Sequence, residues 1–537
     1  MPRRKHLIIT LALLFILSTI LAACGSSEQQ ADQGSTLVFG RGGDSDSLDP
    51  AQVTDGESIK VTQNLYETLV KYKKENTEVE PGLATEWEPS EDGLTWTFKL
   101  REGVKFHDGT DFNAEAVVFN FNRWMDKNNE YHKGGEFPYY GYMFGGYKGD
   151  EGHVIKSVKA MDDYTVEFTL EKPQGPFLNN LGMPAFGIAS PTAVKKDPEK
   201  FGENPVGTGP FAFVEWKKED SITLKKNTEY WDEGKPSLDR VIFRSIPDNA
   251  GRLTALKSGD IDLMDGLNPD ATQSIEDDDK LSLYTRPPMN VGYLAFNTEK
   301  KPFDNVKVRQ ALNHAVNKEG LIKSFYNGLA EPAKNPMPPS LWGYNDEITD
   351  YEYDLDQAKK LLKEAGYEDG FKMELWAMPV PRPYMPDGKK IAEYLSADFE
   401  KLGIEVEIIS MEWQTYLEKT GKGEHEAALL GWTGDNGDPD NFLYVLLDQT
   451  NAKGPDAGNI AFYKSEELHK LLSKAQGLSD KEERAKLYKE AQKVIKKDAP
   501  WVPMVHSTPP LASQSYVKGF IPHPTGSESL ENVSIEK

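Results

Sequence analysis

The run Leu430-Gly431-Trp432-Thr433-Gly434-Asp435-Asn436-Gly437-Asp438-Pro439-Asp440-Asn441-Phe442 carries an apolar strand straight into an acidic turn. Ala427, Ala428, Leu429 and Leu430 supply the strand pattern, and the turn holds three carboxylates beside an aromatic. Strand ends that open into Gly/Asp loops are where α/β folds place ligands. Some fifty residues earlier lies Pro379-Val380-Pro381-Arg382-Pro383-Tyr384, an arginine locked between prolines beside another aromatic. One fixed anion and one fixed cation, each with an aromatic neighbour, suit a small zwitterion better than catalysis.

Outward from that run, strand-like stretches alternate with helical ones, which indicates an α/β fold. Strands are expected at Thr36–Gly40, Trp96–Leu100, Thr165–Leu170, Ser221–Lys225, Val241–Ile246 and Ile404–Ile409. Asp354-Leu355-Asp356-Gln357 reads as a capping box, followed by Ala358, Leu361, Leu362 and Ala365 on one face and a Gly366 stop. Val308, Ala311, Leu312 and Ala315 mark a second amphipathic stripe within Val306 to Lys318. Ile391, Leu395, Phe399 and Leu402 mark a third, which ends at Gly403 and feeds the alternating strand toward the acidic turn. No internal repeat is visible.

The N-terminus reads as an address. Arg3, Arg4 and Lys5 precede an apolar run from Leu7 to Ala22, too short and wrongly flanked for a stable span. It ends in Leu21-Ala22-Ala23-Cys24-Gly25, which resembles the bacterial lipoprotein signal, whose cysteine is lipidated and becomes the first residue. Cys24 is the only cysteine of the chain, which favours lipidation over a chance cysteine in an ordinary secretory signal. It also removes disulfides and cysteine-based metal sites. Residues 24–35 form a polar tether.

The net charge is −24, and loss of residues 1–23 takes away three basic residues and no acidic one, leaving −27. Such a body repels nucleic acid and anionic lipid surfaces, so nucleic-acid binding is not expected. The roughly 510 residues that remain exceed one core, and two or more lobes are expected.

Longer blocks make a family resemblance specific. They include Pro81-Gly82-Leu83-Ala84 before Trp87, Asp92-Gly93-Leu94-Thr95-Trp96-Thr97-Phe98, and Leu100-Arg101-Glu102-Gly103-Val104-Lys105-Phe106-His107-Asp108-Gly109. Asn204-Pro205-Val206-Gly207-Thr208-Gly209-Pro210-Phe211 and Gly292-Tyr293-Leu294-Ala295-Phe296-Asn297 extend them. Together they resemble the solute-binding proteins of peptide ABC importers, solute-binding protein family 5, over essentially the whole mature chain. The segments around Arg382 and Asp435 look nearest to its dipeptide-binding members.

The resemblance implies a periplasmic-binding-protein type II clamshell with an additional inserted domain. Lobe I would comprise 36–66, 206–287 and 507–537, the insert 67–205, and lobe II 288–506. It implies that Asp435 pairs with a peptide's α-amino group and Arg382 with its α-carboxylate. Arginine suits the latter because its planar fork accepts a carboxylate bidentately. Trp432 and Trp413 are candidate walls of side-chain pockets, with core packing as the alternative. Thr433 and Gly434 belong to the same ligand loop, and Thr54 and Gly56 lie where the family offers backbone groups to the peptide. Tyr384 and the aromatic patch Phe137-Tyr139-Tyr140 are further candidates, more in keeping with packing. Asp438, Asp440, Asn436 and Asn441 read as turn formers.

Metal and catalytic readings find no support. The nine histidines are scattered, with no paired His ligands. In a calcium-loop register Gly437 and Pro439, or Phe442, fall where oxygen ligands should stand. There is no nucleophile elbow and no phosphate-cradling loop. The expectation is therefore a monomeric, lipid-anchored binding protein on the outer face of the cell membrane. It would use no cofactor, and would take dipeptides or short peptides to a permease. Tripeptides or cell-wall peptides, a glutathione-like compound, haem or a nickel chelate are alternative ligands. An exported hydrolase is the alternative from another class.

Overall fold

The computed structural model describes residues 35–454 and 457–537. The signal segment and Cys24 lie outside them. Five sheets organise the described chain. A seven-stranded sheet runs in the order Leu281–Thr285, Pro510–Gln514, Leu263–Met264, Thr36–Arg41, Arg240–Ser245, Ser221–Lys226, Phe211–Lys217. Its strands thus come from three separate parts of the chain. A six-stranded sheet runs in the order Ala330–Pro332, Trp501–Ser507, Asn290–Phe296, Ala427–Thr433, Lys372–Trp376, Glu405–Ile409. The chain crosses between these two sheets twice, from Thr285 to Asn290 and from Ser507 to Pro510. The crossings lie together, with Arg286 N–H donating to the Pro509 carbonyl at 2.9 Å.

A four-stranded antiparallel sheet, Ala84–Pro89, Thr95–Leu100, Thr165–Leu170, Ile155–Asp162, has its own aromatic core. Trp96, Phe98, Phe121, Trp124, Phe168 and Phe177 are buried there together. Two lobes with an inserted domain result, and their buried apolar residues fall into five clusters among the described residues, as one core does not grow to this size.

Local chemistry sets the helices near the site. Helix Leu355–Glu364 starts where the Asp354 carboxylate accepts from Asp356 and Gln357 N–H, both at 2.9 Å. It is followed by Gly366 at φ +84°, open to glycine at little cost. Helix Gly388–Glu400 buries Ile391, Leu395 and Phe399 as its stripe requires. The stripe from Val306 does not run unbroken to Lys318. Helix Val306–Ala315 stops, and Asn317 caps a second helix, Lys318–Phe325, by accepting from Gly320 N–H at 3.0 Å. An asparagine side chain competes with the helix backbone for such donors, and that favours a cap over continuation.

Candidate functional site

Three parallel strands lie side by side in the six-stranded sheet: Glu405–Ile409, Lys372–Trp376 and Ala427–Thr433. Their carboxyl ends open on one edge, and the loops that leave them carry Trp413, Arg382 and Asp435 in that order. The arrangement is the strand-end placement expected of ligand sites in α/β sheets.

At Asp435 one carboxylate oxygen accepts from the Tyr139 hydroxyl at 2.9 Å and the other from Asn441 Nδ2 at 3.1 Å. Asn441 Oδ1 in turn accepts from Asp435 N–H at 3.0 Å and from Trp432 Nε1 at 2.9 Å. Both partners of the acid are neutral. Burial pushes its pKa up to about 6, against the pull of these two hydrogen bonds. Asp435 is therefore a half-buried acid held by neutral donors, with no cation at its oxygens among the described residues.

Arg382 differs. Arg382 N–H donates to the Met385 carbonyl at 3.0 Å and Met385 N–H returns the bond at 2.8 Å, which closes a tight turn. The guanidinium is exposed, donates to its own neighbour Pro381 at 3.1 Å, and lies 5.8 Å from the centre of the Trp413 ring. The expected fixed cation is thus fixed in its backbone, while its head group has no carboxylate partner among the described residues.

A family model for bacterial extracellular solute-binding proteins, family 5, matches residues 78–454. The chain belongs to that family. It is 42% identical to the dipeptide-binding protein of Escherichia coli, over 94% of this chain and 95% of that one. It is 41% identical to haem-binding protein A of Haemophilus influenzae, over 96% and 97% of the two chains. Among solved structures it is similar to the periplasmic binding protein DppA of Helicobacter pylori in complex with the peptide STSA. There the TM-score is 0.79 at 42% identity, covering 94% of this chain and 98% of the other. Family 5 chains are binding proteins, and this one is not an enzyme.

Within this family-5 chain the other candidate residues divide. Thr433 is exposed at the strand end, and Gly434 N–H donates to the Met289 carbonyl at 2.7 Å with Phe442 packed against it. Trp413 is half-buried at the start of helix Trp413–Gly421, stacked on Tyr416 at 5.9 Å. Thr54 and Gly56 are exposed, and a Cβ at Gly56 would meet nothing within 4 Å. Between them Asp55 caps helix Gly56–Leu65, accepting from Ser58 N–H at 2.8 Å.

Tyr384 is a packing residue, 8% exposed. Its ring lies on Gly431 and its carbonyl on Gly292, which pair across neighbouring strands, and that carbonyl accepts from the Tyr326 hydroxyl at 2.8 Å. Any larger residue at either glycine would collide with it, so the two glycines bring the arginine arm down onto the sheet.

The aromatic patch of the insert splits. Phe137 and Tyr140 are buried, Tyr140 against His153 at 2.9 Å, while Tyr139 reaches the ligand loop. The residues read as turn formers do more than turn. Asn441 holds both Asp435 and Trp432. Asp438 is fully buried in a two-pronged pair with Arg484, at 2.7 and 2.8 Å. Asp440 is buried beside it, with its carboxyl pushed up to about 7 by burial first and then by the Asp438 charge. No sequence spacing links Asp438 to Arg484, forty-six residues away.

Among the described residues no group of three His, Cys, Asp or Glu side chains could hold a metal ion, and no helix is long and apolar enough to cross a membrane.

Proposed function

We propose that the protein is the substrate-binding component of an ABC importer. It would be held on the outer face of the cell membrane by a lipid on Cys24, and would capture dipeptides or similar short peptides for a membrane permease. Lobe I (36–66, 206–287, 507–537) and lobe II (288–506) would close on the ligand, with the insert (67–205) riding on both.

One observation carries this reading. Asp435 is a half-buried carboxylate held by neutral donors, with no cation beside it among the described residues. A peptide's ammonium group costs several kcal/mol to strip of water, and a carboxylate already stripped of its own supplies the missing partner. Arg382, unpaired on the same sheet edge, would take the peptide's carboxylate. Two opposite poles on one edge would suit a free-ended short peptide; the Escherichia coli relative is named for dipeptides, and the Helicobacter pylori structure holds the four-residue peptide STSA.

Calorimetry with a free dipeptide, its N-acetyl form and its C-terminal amide tests the assignment. The free dipeptide should bind at least ~100-fold more tightly than the N-acetyl form, since the half-buried acid loses its mate. Equal binding of all three would discard the reading. Cys24→Ser should release the protein from membranes into the soluble fraction.

Haem is the second reading, favoured by the similarity to haem-binding protein A. Absorbance titration with haem, repeated with dipeptide present, separates the two: competition would place both ligands in one cleft.

A further inference from the structure

The ligand loop is gripped from two sides. On the lobe II side Arg484, in helix Lys481–Asp498 and 3% exposed, spends every nitrogen. Two donate to Asp438, Nε donates to the Ala475 carbonyl at 3.1 Å, and one also reaches the Tyr488 hydroxyl at 2.8 Å. Asp438 passes this order along the loop. Its oxygen accepts from Asp440 N–H at 3.0 Å and its carbonyl from Asn441 N–H at 3.1 Å, and Asn441 is the residue that holds Asp435.

On the other side stands the insert. Asn179 Nδ2 donates to the Asn436 carbonyl at 2.9 Å, Asn436 Nδ2 donates to Asn180 Oδ1 at 2.7 Å, and Thr77 fits against Gly437, whose φ is +66°. Arg484 touches this second grip as well. Gly175 of the insert donates its N–H to the Gln476 carbonyl at 2.6 Å, and a Cβ there would stand 2.6 Å from both Arg484 Nε and the Leu478 carbonyl.

We infer that Arg484 is the positioning residue that holds the Asp435 loop in its amine-reading shape and seats the inserted domain against it. The inference deepens the proposed dipeptide reading, and as regards selectivity it rests on that reading. A buried arginine suits the task because its fork fixes Asp438 in two directions at once, which a lysine's single ammonium does not. Gly175 suits it because a glycine lets the insert's backbone come down on the guanidinium without a side chain between them.

The test compares wild type, Arg484→Lys and Gly175→Ala by hydrogen exchange with mass spectrometry, and by binding of free and N-acetyl dipeptide. In Arg484→Lys, exchange across 434–441 and 137–144 should speed up at least tenfold while strand Thr95–Leu100 is unchanged. The preference for the free over the N-acetyl dipeptide should drop at least tenfold. Gly175→Ala keeps the charge but lifts the insert, so 137–144 should speed up there too, even if the lysine variant does not fold. Unchanged exchange in both variants overturns the inference, and so does faster exchange with the peptide preference intact. Faster exchange in a protein whose wild type binds no dipeptide supports the positioning role and overturns the peptide reading instead.

Discussion

Asp435 and Arg382 leave the same sheet edge, yet the structure treats them in opposite ways. The acid is held by Tyr139 and Asn441, its loop is braced by Arg484, and its carboxyl is desolvated. The arginine has a closed backbone turn and an exposed head group that touches its own chain and Trp413. A rigid pole reads one chemical group at one place, because its cost of ordering is met in folding. A head group on a long stem captures its partner over a range of positions, at the cost of rotamer freedom on binding. On the proposed reading, the amine end of a ligand would be the strictly read end, and the carboxylate end the tolerant one.

The largest effect that could break this contrast is at the acid. Asp435→Asn should weaken dipeptide binding by at least ~3 kcal/mol, because a desolvated ammonium then faces no charge. Arg382→Ala should cost less, about 2 kcal/mol, since the ligand's carboxylate keeps more water at that end. Calorimetry on both variants ranks the poles, and a larger loss at Arg382 would invert the comparison.

Next in size is pH. A ligand ammonium must displace the proton that Asp435 holds with a pKa of about 6. Between pH 7 and pH 5 the ionised fraction drops from about nine-tenths to about one-tenth, so affinity should fall roughly tenfold. Asp435→Asn should flatten the profile.

The effect furthest from the ligand is in stability. Asp440 titrates at about 7 in the folded protein against 3.8 ordinarily. Folding thus favours its protonated form, and the contribution is complete below about pH 4 and lost as pH rises through 7. Asp440→Asn should reduce the loss of stability between pH 5 and pH 8 by up to about 2.5 kcal/mol, measured by denaturant unfolding of both proteins.

Much of this was legible in the residues. Asp354 before a striped helix and Gly366 after it, the alternation at 404–409, and the strand entering the 430–442 turn each depend on neighbours a few positions away. Local chemistry of that kind is written along the chain. The break after Ala315 is not visible in the apolar stripe, because a single capping asparagine carries it. Nothing near Tyr139 in sequence distinguishes it from Tyr140, yet the Tyr139 hydroxyl faces Asp435 and that of Tyr140 faces His153.

The sequence by itself determined the α/β class, the family and the two charged segments, since periodicity, turn residues and long motif blocks are properties of adjacent positions. Only the tertiary structure decided which charge is braced and which is free. Asp438 meets Arg484 across forty-six residues, and Asn436 meets Asn180 across 256. Burial and hydrogen-bond partners over such separations are fixed by how sheets and domains pack, and no local pattern encodes them.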